Sequence, residues 1–139
     1  MPRVLRLVLA VVAGFIAGSL VNMALISISG SIIPPPPGTD VSTTEGVKAA
    51  IPLFGPRHFV FPFLAHSLGT FAGAVVAILL APGRAAGPGW VVGGLFLLGG
   101  IAAAFMIPAP AWFIAVDLVG AYFPAAWLAG RLVSRQGVT

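Results

Sequence analysis

Four long apolar runs limit what this 139-residue chain can fold into. They extend over about residues 7–28, 59–80, 90–107 and 112–130, and the one charged side chain among them is Asp117. A helix needs about 20 mainly apolar residues to cross the hydrocarbon core of a bilayer. We therefore predict an all-α polytopic membrane protein. Residues 1–139 would form a single membrane domain, a four-transmembrane-helix bundle with one Pro-rich extramembrane loop.

The first run has features of both a signal peptide and a membrane span. Arg3 and Arg6 precede it, as the basic region of a signal peptide would. The apolar part of a signal peptide is about 7–15 residues long and is followed by a small-residue cleavage site. This run is longer, and no clear Ala-x-Ala site follows it. We expect it to stay in the protein as the first span.

Charge and cysteine content exclude several classes of function. Charged residues make up 7% of the chain, against roughly 25% in an average soluble domain. The basic residues form no cluster and have no accompanying row of stacking aromatics, so nucleic acid is not an expected partner. Without cysteine, the chain forms neither a disulfide nor a thiolate metal site. We expect no cofactor, and as partners the lipid bilayer and a second copy or a larger membrane complex.

The basic residues predict the orientation of the spans. Five of them fall on one side of the four runs and two on the other, where Asp40 and Glu45 dilute them. The positive-inside rule then places both termini in the cytoplasm and the first loop outside. The first group is Arg3, Arg6, Arg84, Arg131 and Arg135, and the second is Lys48 and Arg57.

The outer loop, about residues 29–58, is the one extended polar segment. Four prolines at positions 34–37 predict a stiff polyproline II stretch. Thr43 to Glu45 can begin a short helix that continues to Ile51 and that Pro52 would end. This loop is either a lid or partner-docking element, or a rigid spacer between two spans.

Small residues recur at helical spacing within the apolar runs. Glycines at this spacing let membrane helices approach closely, and polar side chains then bond across the interface. We predict that these stripes pack the helices against one another or against another subunit. The glycines concerned are Gly14, Gly18, Gly69, Gly73, Gly93, Gly100 and Gly120.

Three polar side chains, Asn22, His66 and Asp117, lie at a similar depth in three different runs. At about 1.5 Å per residue, each is roughly 8–10 Å from the non-cytoplasmic end of its run. Polar groups in hydrocarbon are expensive and usually face the protein interior or a wet cavity. We predict that the three meet in the outer half of the bundle, with Thr70 one turn from His66. Pro124 should bend the fourth helix beside them.

Three roles are open for this cluster. It can be structural, with His66 bonded to Asp117 or Asn22 across the helix interface. It can be a binding or proton-relay site in which Asp117 titrates. A catalytic or metal site has less support, because zinc needs three protein ligands and only His58 of the loop could join the other two. Ser67 makes a poor nucleophile for His66, because adjacent helical residues point about 100° apart.

Seven strings distributed along the chain form a distinctive set: VNMALI (21–26), IPPP (33–36, with Gly38 and Asp40 after it), LFGPRHF (53–59), PFLAH (62–66), GGI (99–101), PAPAWF (108–113) and DLVGAY (117–122). Together they resemble an uncharacterised family of small bacterial four-span inner-membrane proteins with a Pro-rich outer loop. The resemblance implies a bacterial inner-membrane location and supplies no activity. Gly55 stands where the family pattern has Glu, so no role is expected for a loop carboxylate there.

Together these features favour a non-enzymatic function. We expect a small integral membrane protein that binds a small ligand, a lipid or a partner protein through the outer half of its bundle. The alternative is a small transporter or channel component that uses His66 and Asp117 as a proton-linked polar site. A membrane enzyme comes third, because neither a phosphate-binding loop nor a pair of carboxylates at catalytic spacing is present.

Overall fold

The computed structural model describes residues 1–134, and within them the chain is helical with no strand. Arg135, one of the basic residues used to predict orientation, lies outside the described residues. Single 3-10 turns occupy Ile51–Leu53, Pro56–Phe59 and Pro82–Arg84. The α-helices are α1 (Arg3–Ile32), α2 (Thr44–Ala50), α3 (Val60–Leu80), α4 (Gly87–Met106), α5 (Ala111–Gly120) and α6 (Phe123–Val133).

Four helical segments are long and apolar enough to cross a membrane, which confirms the predicted number. They are Arg3–Ile32, Pro56–Leu80, Gly87–Met106 and Ala111–Val133, with mean hydropathies of 2.4, 2.0, 1.9 and 1.5. The first is 30 residues, or about 45 Å, long and therefore exceeds a hydrocarbon core of about 30 Å.

Helix α1 runs four residues further than the sequence suggested. The hydroxyls of Ser27 and Ser29 bond the carbonyls of Met23 and Ile26, so these serines fit within the helix. The helix ends at Ile32, just before the proline run. Proline lacks an amide hydrogen and pushes the residue before it into an extended conformation, so the run stops the helix.

Glycines bring α1 and α3 into backbone contact. A methyl group added at Gly14 would meet the carbonyl oxygen of Gly73, and one at Gly18 would lie 2.5 Å from that of Gly69. The same holds in reverse, with the Gly14 carbonyl 2.6 Å from a methyl group at Gly73. Glycine is therefore required at these four positions for the two helices to lie this close. The stripes face one another within the chain.

Gly93 and Gly100 of α4 are tightly packed against α6 and Tyr122, whereas Gly120 of α5 is not. A methyl group at Gly93 would lie 2.8 Å from the side chain of Ala126, and one at Gly100 would meet the Tyr122 hydroxyl. At Gly120 the nearest atoms belong to Phe63 at 3.5 Å, an ordinary contact. The predicted packing stripe therefore stops short of Gly120, which is the last residue of α5 and has no helix backbone against it.

The fourth apolar segment is interrupted near Pro124, where the sequence predicted a bend. Helix α5 ends at Gly120 and α6 begins at Phe123. Proline cannot donate to the carbonyl four residues before it and its ring crowds that group, so a continuous helix is disfavoured here. The break turns Tyr122 inward, where it is only 1% exposed.

The outer loop contains the expected short helix. Thr43 caps α2 by accepting a hydrogen bond from the Gly46 amide at 3.0 Å. The α-helix ends at Ala50, one residue before the predicted end at Ile51. Pro52 follows in a 3-10 turn from Ile51 to Leu53, because proline is tolerated in the first turn of a helix, where its missing amide has no partner to lose.

His58 ties the two ends of the loop together. Its Nδ1 accepts a hydrogen bond from the Gly55 amide at 2.9 Å, which leaves the ring hydrogen on Nε2. The Nε2 lies 3.2 Å from the carbonyl oxygen of Pro34, on the far side of the loop.

A second local contact lies within the loop, at Asp40. The hydroxyl and the amide of Ser42 donate to the Asp40 carboxylate and hold the pKa of that carboxyl below its usual value.

Candidate functional site

His66 of α3 and Asp117 of α5 form a direct pair. The His66 Nδ1 lies 2.7 Å from Asp117 Oδ1 and 2.9 Å from Oδ2. Asp117 is nearly buried, with 4% of its surface exposed, whereas 25% of the His66 side chain remains exposed. Asp117 is therefore enclosed by the protein, whereas part of the His66 side chain remains accessible.

Tyr122, which lies between α5 and α6, is a third member of this group. Its hydroxyl donates to Asp117 Oδ2 at 3.0 Å, and its ring stacks on His66 with centroids 5.7 Å apart. Sequence analysis missed this residue, because five positions along a continuous helix would place it about 140° from Asp117. The signal available was that Tyr122, the single tyrosine of the chain, lies between Asp117 and Pro124.

The contacts of Asp117 set the chemistry of the histidine. A carboxylate only accepts, so the hydrogen of a neutral His66 ring lies on Nδ1 and its Nε2 carries the free lone pair. Among the described residues Nε2 has no hydrogen-bond partner, yet it keeps accessible surface. His66 therefore presents one acceptor, or one donor if it is protonated, to whatever enters beside it.

Asn22 of α1 lies near the pair without bonding to it. Its Oδ1 is buried and has no hydrogen-bond partner in residues 1–134. Its Nδ2 also makes no hydrogen bond there but keeps accessible surface. Asn22, His66 and Tyr122 line one cavity together. The three helices thus bring Asn22 next to the pair and leave its amide unsatisfied.

Thr70 has a different role from the one sequence analysis suggested. Its side chain is fully buried and its hydroxyl bonds the backbone carbonyl of His66 at 2.7 Å. It lines neither of the two cavities described below. A hydroxyl that bonds the carbonyl four residues back is satisfied within its own helix. Thr70 therefore supports the backbone of α3 and does not reach the cavity.

The larger cavity, called here the outer cavity, has a volume of about 360 Å³. Its walls come from the end of α1, the loop, the start of α3, the end of α4, and α5. Most of the lining is apolar, and the polar side chains include His66 and Asp117 at one end and Arg57 and His58 from the loop. Typical apolar lining residues are Ile33, Val47, Phe54, Ile107 and Phe113.

A second space, the inner cavity, adjoins it and measures about 220 Å³. His66 and Gly100 line both cavities. The rest of the inner lining is Phe15, Asn22, Leu95, Phe96, Gly99 and Tyr122. Because Gly100 has no side chain, His66 is the one residue of the described part of the chain whose side chain both cavities share.

The three candidate metal ligands, His58, His66 and Asp117, do not form a metal-binding group in the described residues. Within residues 1–134 no group of three His, Cys, Asp or Glu side chains could hold a metal ion. His58 uses both ring nitrogens for backbone contacts with Gly55 and Pro34. The described arrangement is therefore a hydrogen-bonded polar group beside two cavities.

Comparisons with known proteins leave the site to be interpreted from its own geometry. No family model, no curated protein and no solved structure matches this chain. The resemblance to the bacterial four-span proteins accordingly stays an expectation.

Proposed function

We propose that this chain is a polytopic protein of the bacterial inner membrane that binds a small, mainly apolar molecule in its outer cavity. In this proposal the four spans form one bundle, both termini face the cytoplasm and the loop lies outside. The ligand occupies the space between the loop and the His66–Asp117 pair. The role is binding, and no bond is made or broken in the ligand.

The apolar outer surface of the helices supports the membrane location. Only 17% of the apolar window of α1 is buried. Large side chains such as Phe105 and Val119 are 88% and 77% exposed. In water, so much contiguous apolar surface would drive association, whereas in a bilayer it is solvated by lipid tails.

The outer cavity is the observation that carries the proposal. Ligand pockets are typically about 300–1,000 Å³, mostly apolar, and have a few polar groups that orient the ligand. The outer cavity meets all three criteria, with 360 Å³, an apolar wall and the His66–Asp117 pair at one end. A spacer loop would have no reason to enclose such a space. The loop is therefore assigned as the cover of the binding site.

A second candidate, a proton-linked transporter component, draws on the position of His66 between the two cavities. A histidine that borders two spaces can exchange a proton with each. Against this, none of the residues within 1–134 that line the inner cavity is Asp, Glu, Lys or Arg. A proton path needs further polar steps towards the cytoplasm, so binding is the better-supported function.

The outer-cavity proposal is tested by filling the cavity. Ala104 lines it, whereas Ala102 lies on the exposed face of the same helix, so Ala104→Trp and Ala102→Trp form a matched pair. Each protein is released from its membrane in mild detergent and weighed intact by native mass spectrometry. We expect the wild type and Ala102→Trp to keep a small-molecule adduct that Ala104→Trp loses. A wild type without an adduct, or the same adduct on all three, contradicts the proposal.

A further inference from the structure

The inner cavity contains two unused hydrogen-bonding groups of complementary kind. The Nε2 of neutral His66 is an acceptor, because Asp117 holds the ring hydrogen on Nδ1. The amide of Asn22, on the opposite helix, has an accessible Nδ2 and a buried Oδ1, and neither makes a hydrogen bond in the described residues. Buried polar groups are nearly always paired, so an unpaired amide beside a cavity indicates a missing partner.

The rim of this cavity lies on the apolar exterior of the bundle. Phe15 of α1 and Leu95 of α4 are 41% and 39% exposed, and Gly99 is also exposed. Phe15 and Phe96 pack against each other across the two helices, with ring centroids 5.2 Å apart. The polar atoms are thus approached from the side of the bundle, between α1 and α4, where the proposed function places lipid.

The lining favours a ligand without charge. Among the described residues, no Asp, Glu, Lys or Arg lines the inner cavity. Because Asp117 does not line this cavity, a cationic ligand there would have no carboxylate in contact with it. An anionic group would have to lie near the Asp117 carboxylate without a basic side chain to offset it.

From these features we infer that the inner cavity is a second binding site, which takes an uncharged, membrane-dissolved alcohol, a single hydroxyl on an apolar chain. The inference rests on the membrane location in the proposed function and adds a site and a ligand class beyond the outer cavity. A hydroxyl donates one hydrogen bond and accepts others, so it can donate to His66 Nε2 and accept from Asn22 Nδ2. The apolar chain lies along the α1–α4 gap.

The alcohol site makes an unusual prediction for Asn22. An asparagine kept for folding would stabilise the empty protein, and its replacement would lower the melting temperature. An asparagine kept for a ligand carries an unpaired acceptor in the empty protein, so an apolar side chain of the same shape removes that penalty. Asn22→Leu has the same branching and the same number of side-chain heavy atoms. We expect it to melt at or above the wild-type temperature and yet to lose the alcohol.

The experiment uses the full chain in lipid nanodiscs and a photoreactive probe. The probe is a long-chain primary alcohol with a diazirine in its chain, and the matched probe is its methyl ether, which accepts hydrogen bonds but cannot donate one. Labelling is quantified by intact mass and located by tandem mass spectrometry, with excess unlabelled alcohol as competitor. Ser27→Ala is the control variant, because Ser27 is exposed on the same helix and bonds only the Met23 carbonyl.

We expect competable labelling of wild type and Ser27→Ala around Phe15 and Leu95. The apparent affinity should fall roughly tenfold for the ether and for Asn22→Leu, the loss of about one hydrogen bond. Equal labelling by alcohol and ether, or equal labelling of wild type and Asn22→Leu, overturns the alcohol inference and leaves the outer-cavity proposal standing. The alcohol inference is also overturned if the alcohol probe does not label the wild type, or if excess unlabelled alcohol does not reduce that labelling. An Asn22→Leu protein that melts clearly below the wild type also overturns it, because that result assigns Asn22 to folding. The outer-cavity proposal fails separately, on the Ala104→Trp comparison.

Discussion

His66 and Asp117 are separated by 51 positions in the chain, yet the imidazole Nδ1 lies within hydrogen-bonding distance of both carboxylate oxygens, 2.7 Å from one and 2.9 Å from the other. The contact joins α3 to α5 and fixes the direction in which the other ring nitrogen faces. A single relationship therefore has two consequences. It holds two helices together, and it leaves an oriented polar atom beside two cavities.

Two replacements of Asp117 test how much the contact stabilises the protein. Asp117→Ala leaves His66 and Tyr122 without their acceptor, and we expect the free energy of unfolding to fall by about 1–3 kcal/mol. Asp117→Asn keeps the shape and one acceptor for Nδ1, so its stability should stay close to that of the wild type. Thermal unfolding in detergent measures both.

The same Asn variant also tests whether the charge is needed. Under the binding proposal, Asp117→Asn should still retain the ligand, because its amide oxygen can orient His66. Under the transporter alternative, loss of the carboxylate should abolish pH-dependent flux in liposomes while the fold stays intact. Flux that depends on Asp117 would reverse the order of the two candidates.

Tyr122→Phe is expected to cost about 0.5–1.5 kcal/mol of stability, because it removes the one hydrogen bond from the hydroxyl to Asp117 and keeps the ring stacked on His66. A double-mutant cycle with Asp117→Ala, which removes the acceptor of the Tyr122 hydroxyl, identifies the source of the loss. If the two residues interact as the structure shows, the double variant is less destabilised than the sum of the single ones. Additive losses would mean that Tyr122 acts through packing alone.

Gly14→Ala should destabilise the bundle by about 1–3 kcal/mol, because the added methyl group would meet the Gly73 carbonyl oxygen and force α1 away from α3. Gly94→Ala is the matched control, since nothing lies within 4 Å of a methyl group at Gly94. Unfolding in a common detergent gives the comparison. Equal stability of the two variants would show that α1 and α3 do not make this backbone contact.

The loop should loosen when the ring nitrogens of His58 are removed. In the structure Nδ1 accepts a hydrogen bond from the Gly55 amide, and Nε2 contacts the carbonyl oxygen of Pro34. His58→Phe keeps the stacking on Phe54 and removes both nitrogen contacts, so the two ends of the loop should separate more readily.

Hydrogen exchange of the Gly55 amide measures the loosening. We expect faster exchange in His58→Phe than in the wild type. Ser42→Ala is the control, because Ser42 bonds Asp40 elsewhere in the loop. Exchange that is equally fast in the wild type and in His58→Phe at neutral pH would rule out the His58 contact.

The orientation of the chain is tested by reporter fusions. The distribution of basic residues predicts that reporters after Thr139 and before Met1 are active in the cytoplasm, and that one inserted near Gly38 in the loop is active outside. Gly38 suits an insertion because it is exposed, with φ at 79° in a turn. A C-terminal reporter active on the outside would overturn the predicted topology.

Much of the fold is determined by local features of the sequence. Apolar runs of this length predict helices, because a segment in hydrocarbon would have to bond every backbone group within itself. Prolines then set the ends and breaks, as the run after Ile32 and Pro124 in the fourth span show. The depth of His66 and Asp117 also follows from counting residues, so their meeting could be predicted before the rotation of any helix was known.

Only the tertiary structure determined the hydrogen-bond partners of Tyr122 and Thr70 and the positions of the cavities. Tyr122 joins Asp117 only because the break at Pro124 ends the helical periodicity that would have carried it away. Thr70 has the right depth, but its rotation about α3 turns it from the cavities to its own backbone. Glycine contacts hold α1 against α3, and the loop covers the space that becomes the outer cavity. Cavities and unpaired atoms depend on how all the helices pack at once, and no single segment of sequence contains that information.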